Sequence, residues 1–269
     1  MNPNGTASAA GNWRVARFGA IDSTSEEARR RALAGDPGPL WVTAETQTAG
    51  RGRRGRAWAS PAGNLYASAL LIDPCPQARA AGLGFVAGVA LARSARDVGT
   101  LARLKWPNDL LLGAGKCAGL LVEGFQLPQG GFACVVGIGV NCASSPEAVA
   151  YPTSILTSAV GEEIAPDALF VRLRIRFAEA LETWRRGEGF SAVRDAWLAH
   201  AGPIGERIRI STPRERREGA FEGLDVDGRL LFRGERGIET IETADLWILP
   251  ALDDSPAAAH SALAGEGPT

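Results

Sequence analysis

Lysine is almost missing from this chain: Lys105 and Lys116 are the only two among 29 basic residues, and all the others are arginine. Histidine is as scarce, with His200 and His260 alone. His260 lies in a C-terminal stretch of small and polar residues that cannot build a core, so a Ser-His-Asp triad has little to be made from. The four cysteines, Cys75, Cys117, Cys134 and Cys142, show no C-x-x-C spacing. They read as free, buried thiols rather than zinc ligands or disulfides. No apolar run approaches the ~20 residues that span a bilayer, and the opening MNPNGTASAAGN lacks the basic region and apolar core of a secretion signal. A cytoplasmic protein without membrane contact is expected. Net charge is missing too, since Lys+Arg 29 against Asp+Glu 30 leaves -1. No general basic field then draws in nucleic acid, and any anion site has to be local.

What is present is ample material for a core: 269 residues, 45% of them hydrophobic, enough for one large domain with a smaller one. WRVARFGAI (13–21) reads as a strand, and Ser23 with Glu26 forms a capping box that opens a helix ending near Gly35. LWVTAET (40–46) and NLYASALLI (64–72) are further strands, and 78–98 suits a buried helix. LKWPNDLLL (104–112) and KCAGLLVEGF (116–125) form the two arms of a hairpin around Gly113-Ala114-Gly115. FACVVGIGVN (132–141), apolar on both faces, predicts a central strand. Leu169, Leu173, Phe177, Leu181 and Trp184 set one stripe of a helix ending by Gly187, and a second helix spans 190–200. Beyond Gly202-Pro203, short alternating segments separated by Gly or Asp predict a small antiparallel barrel. The expected fold class is α+β, with a central mixed sheet and packed helices over 12–201, a barrel over 202–250, and disordered tails at 1–11 and 251–269.

Three local patterns carry chemistry. GRGRRGR (50–56) puts four arginines and three glycines into seven residues, a backbone able to approach a ligand closely beside planar donor forks suited to phosphate or carboxylate. An anion cradle built on Arg51 and Arg53, a nucleic-acid contact and a solvated turn are the three readings. KWPND (105–109) places Lys105 on a strand, because Pro107 forbids a helix interior. A compact ammonium is not interchangeable with a guanidinium where a point charge must fit beside two crowded anions, although a surface lysine is the plain alternative. GIGVN (137–141) offers Gly137 and Asn141 at a strand end, either as a ligand contact or as structure. Ser23 and Thr24 are helix caps unless they line a pocket.

Taken together, D-S-T at 22–24, E-T-Q-T-A-G-R-G-R-R-G-R at 45–56, W-x-S-P-x-G-N-L-Y at 58–66, K-W-P-N-D at 105–109, G-K-x-A-G-L-L-V-E at 115–123 and G-I-G-V-N at 137–141 resemble the biotin protein ligase family in order and spacing. FEGLDVDGRLLFRGERGIETIETADLWIL is similar to that family's C-terminal SH3-like barrel. The resemblance implies the class II synthetase-like catalytic fold of biotin and lipoate ligases and an enzyme that activates biotin with ATP, with Mg2+ present. The product, biotinyl-5′-AMP, is then passed to a lysine of a biotin carboxyl carrier protein. It implies that Ser23, Thr24, Ser25 and Gln47 meet the ureido ring of biotin, although many relatives carry asparagine at the position of Ser25. Gly50, Arg51, Gly52 and Arg53, with Trp58 beyond, order over biotin and the adenylate, and Gly137 packs against biotin. Lys105 meets the biotin carboxylate and the phosphate, with Arg51 and Arg53 beside it in catalysis. Arg56 and Asn141 join the adenylate contacts, and Tyr151 is a weak candidate for stacking on adenine. The dozen residues before Trp13 leave no room for a DNA-binding winged helix, so a ligase without repressor activity is expected. A homodimer is left open.

The competing readings are a lipoate or octanoate ligase of the same superfold, an RNA-binding module using the arginine-glycine loop, and a retired enzyme serving as a biotin-binding scaffold. Intact Lys105 speaks against the last.

Overall fold

The computed structural model describes residues 13–146, 151–157, 161, 163–212 and 215–249. The proposed terminal tails and His260 lie outside them. Seven strands form one mixed sheet: β1 (Arg14–Ile21), β2 (Leu40–Gln47), β3 (Leu65–Ile72), β4 (Arg103–Lys105), β5 (Asp109–Leu112), β6 (Gly115–Gln126) and β7 (Phe132–Val140). Their order is β1-β2-β3-β7-β6-β5-β4. Only β1 and β2 run parallel, joined through α1 (Thr24–Leu33), and every other pair is antiparallel. The sheet is central for β7, as its double-sided apolar run predicts.

Alternation along the strands explains the layers. Leu40, Val42, Leu70, Ala133 and Val135 point to one face and pack with Ala28 and Ala32 of α1. Their neighbours Trp41, Ala69, Leu71, Cys134 and Val136 point to the other face. There they meet α2 (Gly82–Asp97), α3 (Pro166–Trp184) and α4 (Phe190–Leu198). Trp41 stands edge-on to Phe170 and Phe177 of α3. The C-terminal strands β8 (Arg207–Ser211), β9 (Arg216–Leu224), β10 (Leu230–Gly234), β11 (Gly237–Ile241) and β12 (Asp245–Ile248) make a second, antiparallel sheet in the order β11-β10-β9-β8-β12. Its apolar side, Ile208, Ile210, Phe221 and Phe232, joins the same core as α2 and α4.

Two expectations need correction. LKWPNDLLL is not one hairpin arm: residues 106–108 turn the chain back, so that β4 pairs with β5 and Lys105 faces Asp109. Proline at 107 has no N–H to give a ladder and fits this turn. The capping box is only half made. Ser23 Oγ accepts from the Glu26 N–H at 3.4 Å, but the Glu26 carboxylate accepts from Arg51 at 3.1 Å, and Asp22 takes the Ser23 N–H at 2.7 Å. No helix among the described residues is long and apolar enough to cross a membrane. The four cysteines are free and buried.

Candidate active site

The face of the sheet that carries α1 changes character where the helix begins. Under the helix body β7 offers Ala133 and Val135; beyond its N-terminus the same face continues as Gly137 and Gly139, beside Ser68 of β3 and Gly119 of β6. Loss of side chains there opens a cavity of about 260 Å³. Ser23, Thr24, Ser25, Gln47, Arg51, Gly52, Arg53, Arg56, Trp58, Lys105 and Gly137 all line it. A Cβ at Gly137 would lie 2.7 Å from Ser25 Oγ, so the Ser25 hydroxyl would have to turn away. Gly50 and Asn141 do not line it; they border an adjoining cavity of about 450 Å³. Gln47, Trp58, Lys116 and Tyr151 stand between the two, lining both.

The end of the first cavity under α1 is neutral and polar. Thr24 donates to Gln47 Oε1 from both its N–H (2.8 Å) and its hydroxyl (3.1 Å), and Gln47 Nε2 donates to Ser60 Oγ at 2.9 Å. Thr24, Ser25 and Ser68 share hydroxyl contacts of 2.8 and 3.0 Å. The fixed amide leaves one Gln47 N–H for a ligand acceptor, a fit for an amide-like ring.

The opposite end is cationic. The loop 50–58 closes on itself through an Arg51–Ala57 bridge, with Arg54 and Gly55 at φ 56° and 72°. Its four arginines divide their partners. Arg54 and Arg56 each donate at 3.0 Å to Asp245, where β12 begins. Arg51 reaches Glu26 at 3.1 Å and Glu123 at 3.4 Å. Among the described residues Arg53 meets only neutral oxygens, those of Asn108 and Thr243, each at 3.2 Å. Burial, with Arg54 and Arg56 close by, draws Arg53 below the ordinary guanidinium value. It remains charged, and a half-buried cation without a carboxylate on it invites an anion.

Both lysines converge on one carboxylate. Lys105 Nζ lies 2.9 Å from Asp109 Oδ2 and donates to the Leu246 carbonyl at 2.8 Å; Lys116 Nζ lies 2.7 Å from Asp109 Oδ1. Burial would push the Asp109 carboxyl up, and the two ammonium groups outweigh it, so the group is held below the usual carboxylate range. Lys116 also sits over the rings of Trp58 and Tyr151, 5.4 and 5.5 Å from their centroids. Such aromatic faces favour a cation. Lys105 spends two donors on protein oxygens, whereas Lys116 spends one among the described residues and keeps two for the cavities it lines.

Trp58 lies flat on the paired glycines of β6 and β7. A Cβ on Gly139 would come within 2.6 Å of its Nε1, and one on Gly119 within 3.0 Å of its ring. Its buried Nε1 has no hydrogen-bond partner among the described residues. Reasoning from sequence missed Lys116 and Asp109 as members of the site, although the scarcity of lysine marked Lys116 as firmly as Lys105. It also missed the contribution of Asp245 and Leu246, which no local pattern announces. Tyr151 lines both cavities, with Lys116 over its ring.

A mixed sheet with one helix capping a polar pocket, faced by an arginine-glycine loop and a lysine pair, has known counterparts. A model of the biotin/lipoate A/B protein ligase family matches residues 19–141. That span holds the arginine loop, both lysines and Asn141. The chain belongs to this family. The biotin–[acetyl-CoA-carboxylase] ligase of Paracoccus denitrificans is 41% identical over 238 residues, covering 84% of this chain and 97% of that protein. The bifunctional ligase/repressor BirA of Bacillus subtilis (strain 168) is 30% identical over 234 residues, covering 84% of this chain and 71% of that protein. Among solved structures, the biotin protein ligase from Aquifex aeolicus in complex with biotin and ATP aligns with a TM-score of 0.75 at 25% identity, covering 88% of this chain and 99% of that one.

Proposed function

We infer that this protein is a biotin protein ligase. Biotin's carboxylate oxygen attacks the α-phosphorus of ATP, the bond to the β-phosphate oxygen breaks, and pyrophosphate leaves. The amine of a carrier lysine then attacks the carbonyl of biotinyl-5′-AMP, and AMP leaves with the C–O bond electrons. The observation that carries this reading is one cavity with a neutral hydroxyl-and-amide end and a cationic end formed by Arg51, Arg53, Lys105 and Lys116.

The arrangement answers the main obstacle of the first step, which is that two anions must meet. At ~4 Å and an effective dielectric of ~20, each pair of negative charges repels by about 4 kcal/mol, equivalent to ~1000-fold in rate. Fixed guanidinium and ammonium groups offset that repulsion without reorganising. Lys116, with free donors on both cavities, is the better placed of the two lysines to span carboxylate and phosphate. Lys105 holds Asp109, which holds Lys116. No covalent nucleophile is required. Mg2+ is proposed to accompany ATP, where it would offset phosphate charge; Asp109 and Asp245 at the cationic end are already paired with the lysines and with Arg54 and Arg56.

Trp58 and the arginine loop keep water from the mixed anhydride. The acceptor is proposed to be the biotin carrier of acetyl-CoA carboxylase or of a related carboxylase, in the cytoplasm. The test is biotin-dependent exchange of labelled pyrophosphate into ATP. Exchange with biotin and none with lipoate is expected, and Lys105→Ala and Lys116→Ala should each lose at least ~100-fold. Exchange with lipoate but not with biotin would reassign the substrate.

A further inference from the structure

A continuous line of hydrogen bonds runs from the floor of the first cavity to the backbone of the arginine loop. Its members are Ser25, Ser68, Thr24, Gln47 and Ser60, and it ends on the Trp58 carbonyl, which accepts from Ser60 Oγ at 3.0 Å. Valence permits only one direction. A carbonyl oxygen can only accept, so the Thr24 hydroxyl proton points to Gln47, Ser68 donates to Thr24, and Ser25 donates to Ser68. At the far end Ser60 donates to Trp58 and therefore accepts from Gln47. The Ser25 lone pairs and one Gln47 N–H are left facing the cavity.

Ser60 also stands where the two ends of the loop meet. The Trp58 N–H donates to the Gly50 carbonyl at 2.9 Å. A Cβ on Gly50 would lie 2.5 Å from the Trp58 carbonyl oxygen, 2.7 Å from Ser60 Oγ and 3.0 Å from Gln47 Nε2. The Gln47 side chain is thus linked to the base of the loop through the Ser60 hydroxyl, on a residue 8% exposed, beside a backbone bond from the Gln47 N–H to the Ser60 carbonyl at 3.3 Å.

We propose that Ser60 is a positioning residue that couples filling of the Ser25–Thr24–Gln47 end of the cavity to the placement of the loop bearing Arg51 and Arg53. A ring that engages Gln47 tightens the Gln47–Ser60–Trp58 links, and the guanidinium groups settle where the anions meet. The coupling rests on the biotin-ligase reading.

The experiment measures trypsin cleavage within 51–56 of the full chain, with and without saturating biotin, in the parent, Ser60→Ala and Ser60→Thr. KM for biotin and kcat in pyrophosphate exchange are measured on the same proteins. One lost buried hydrogen bond at each neighbour should make ligand-free Ser60→Ala cleave about 5- to 10-fold faster than the parent. Biotin should slow cleavage of the parent by at least ~10-fold and of Ser60→Ala by less than ~3-fold, with KM for biotin raised about 10-fold and kcat changed less. Ser60→Thr, which keeps the hydroxyl, should restore the biotin effect. The proposal is overturned if biotin slows cleavage of Ser60→Ala by the same factor as the parent, which is what a purely packing role gives. It is overturned equally if a parent that exchanges pyrophosphate gains no protection from biotin. A parent with no biotin-dependent exchange would sink the ligase reading instead, and the ligand-free arm would still decide, because equal cleavage rates there remove Ser60 from the loop's support.

Discussion

Replacing Asp109 by asparagine removes one charge and almost no volume, and isolates what the carboxylate does between the two lysines. Asp109 is 8% exposed as a residue, and the side chains of Lys105 and Lys116 are 17% and 18% exposed. Breaking a buried ion pair by removing one partner costs about 3–5 kcal/mol, because the remaining charge stays desolvated without compensation. Here two ammonium groups lose their partner together, but both retain some water, which places the loss near the lower end, about 3 kcal/mol. For a chain of this size that corresponds to a fall in Tm of roughly 6–12 °C. The pH dependence has a definite sign. Asp109 is held below its unfolded value, so its contribution is fully present above about pH 4 and is lost as the pH falls through the depressed folded value. Thermal melts of parent and Asp109→Asn should differ by a constant amount from about pH 8 to 5 and converge below about 4. A difference under ~2 °C at pH 7, or a gap that widens on acidification, would refute the account of Asp109 as the anchor of the lysine pair.

Other outcomes follow from particular contacts. Gly139→Ala places a methyl group 2.6 Å from Trp58 Nε1, so the indole must lift; a shift in tryptophan fluorescence and a fall in exchange of about 10-fold are expected, with a small change in Tm. Arg53→Ala should cost exchange ~100-fold, because Arg53 alone in the loop lacks a carboxylate partner among the described residues, whereas Arg54→Ala, whose guanidinium is spent on Asp245, should cost under ~5-fold. Burial pushes the thiols of Cys117 and Cys134 up to about 12 and that of Cys142 up to about 11. Native protein at pH 8 should therefore alkylate at these three sites at least ~100-fold more slowly than a free thiol, with full reactivity returning in denaturant.

The sequence was sufficient wherever the determinant was local. Strand patterning placed β1 to β3 and the five C-terminal strands, a run apolar on both faces placed β7, and the Ser23 cap, the alanine-rich run at 78–98 and the stripe from Leu169 to Trp184 placed helices, because each of these signals is local. The glycines and arginines of 50–56 marked the loop that lines the cavity, and the rarity of lysine marked Lys105, which lines it too. Locality also explains the failures. Whether 104–112 runs on or doubles back depends on β5 finding β6, and Glu26 abandoned its cap for an arginine 25 residues away.

What the chain alone determined is the inventory: which cations are rare, which hydroxyls open a helix, which strands lack side chains where a ligand could lie. Tertiary structure decided the partnerships. Only the folded sheet brings Lys105 and Lys116 onto one carboxylate, lays Trp58 across Gly119 and Gly139, and sets Asp245 against Arg54 and Arg56. The physical reason is that charge pairing and close packing depend on distance in space, and strands far apart along the chain become neighbours only when their apolar faces are buried together.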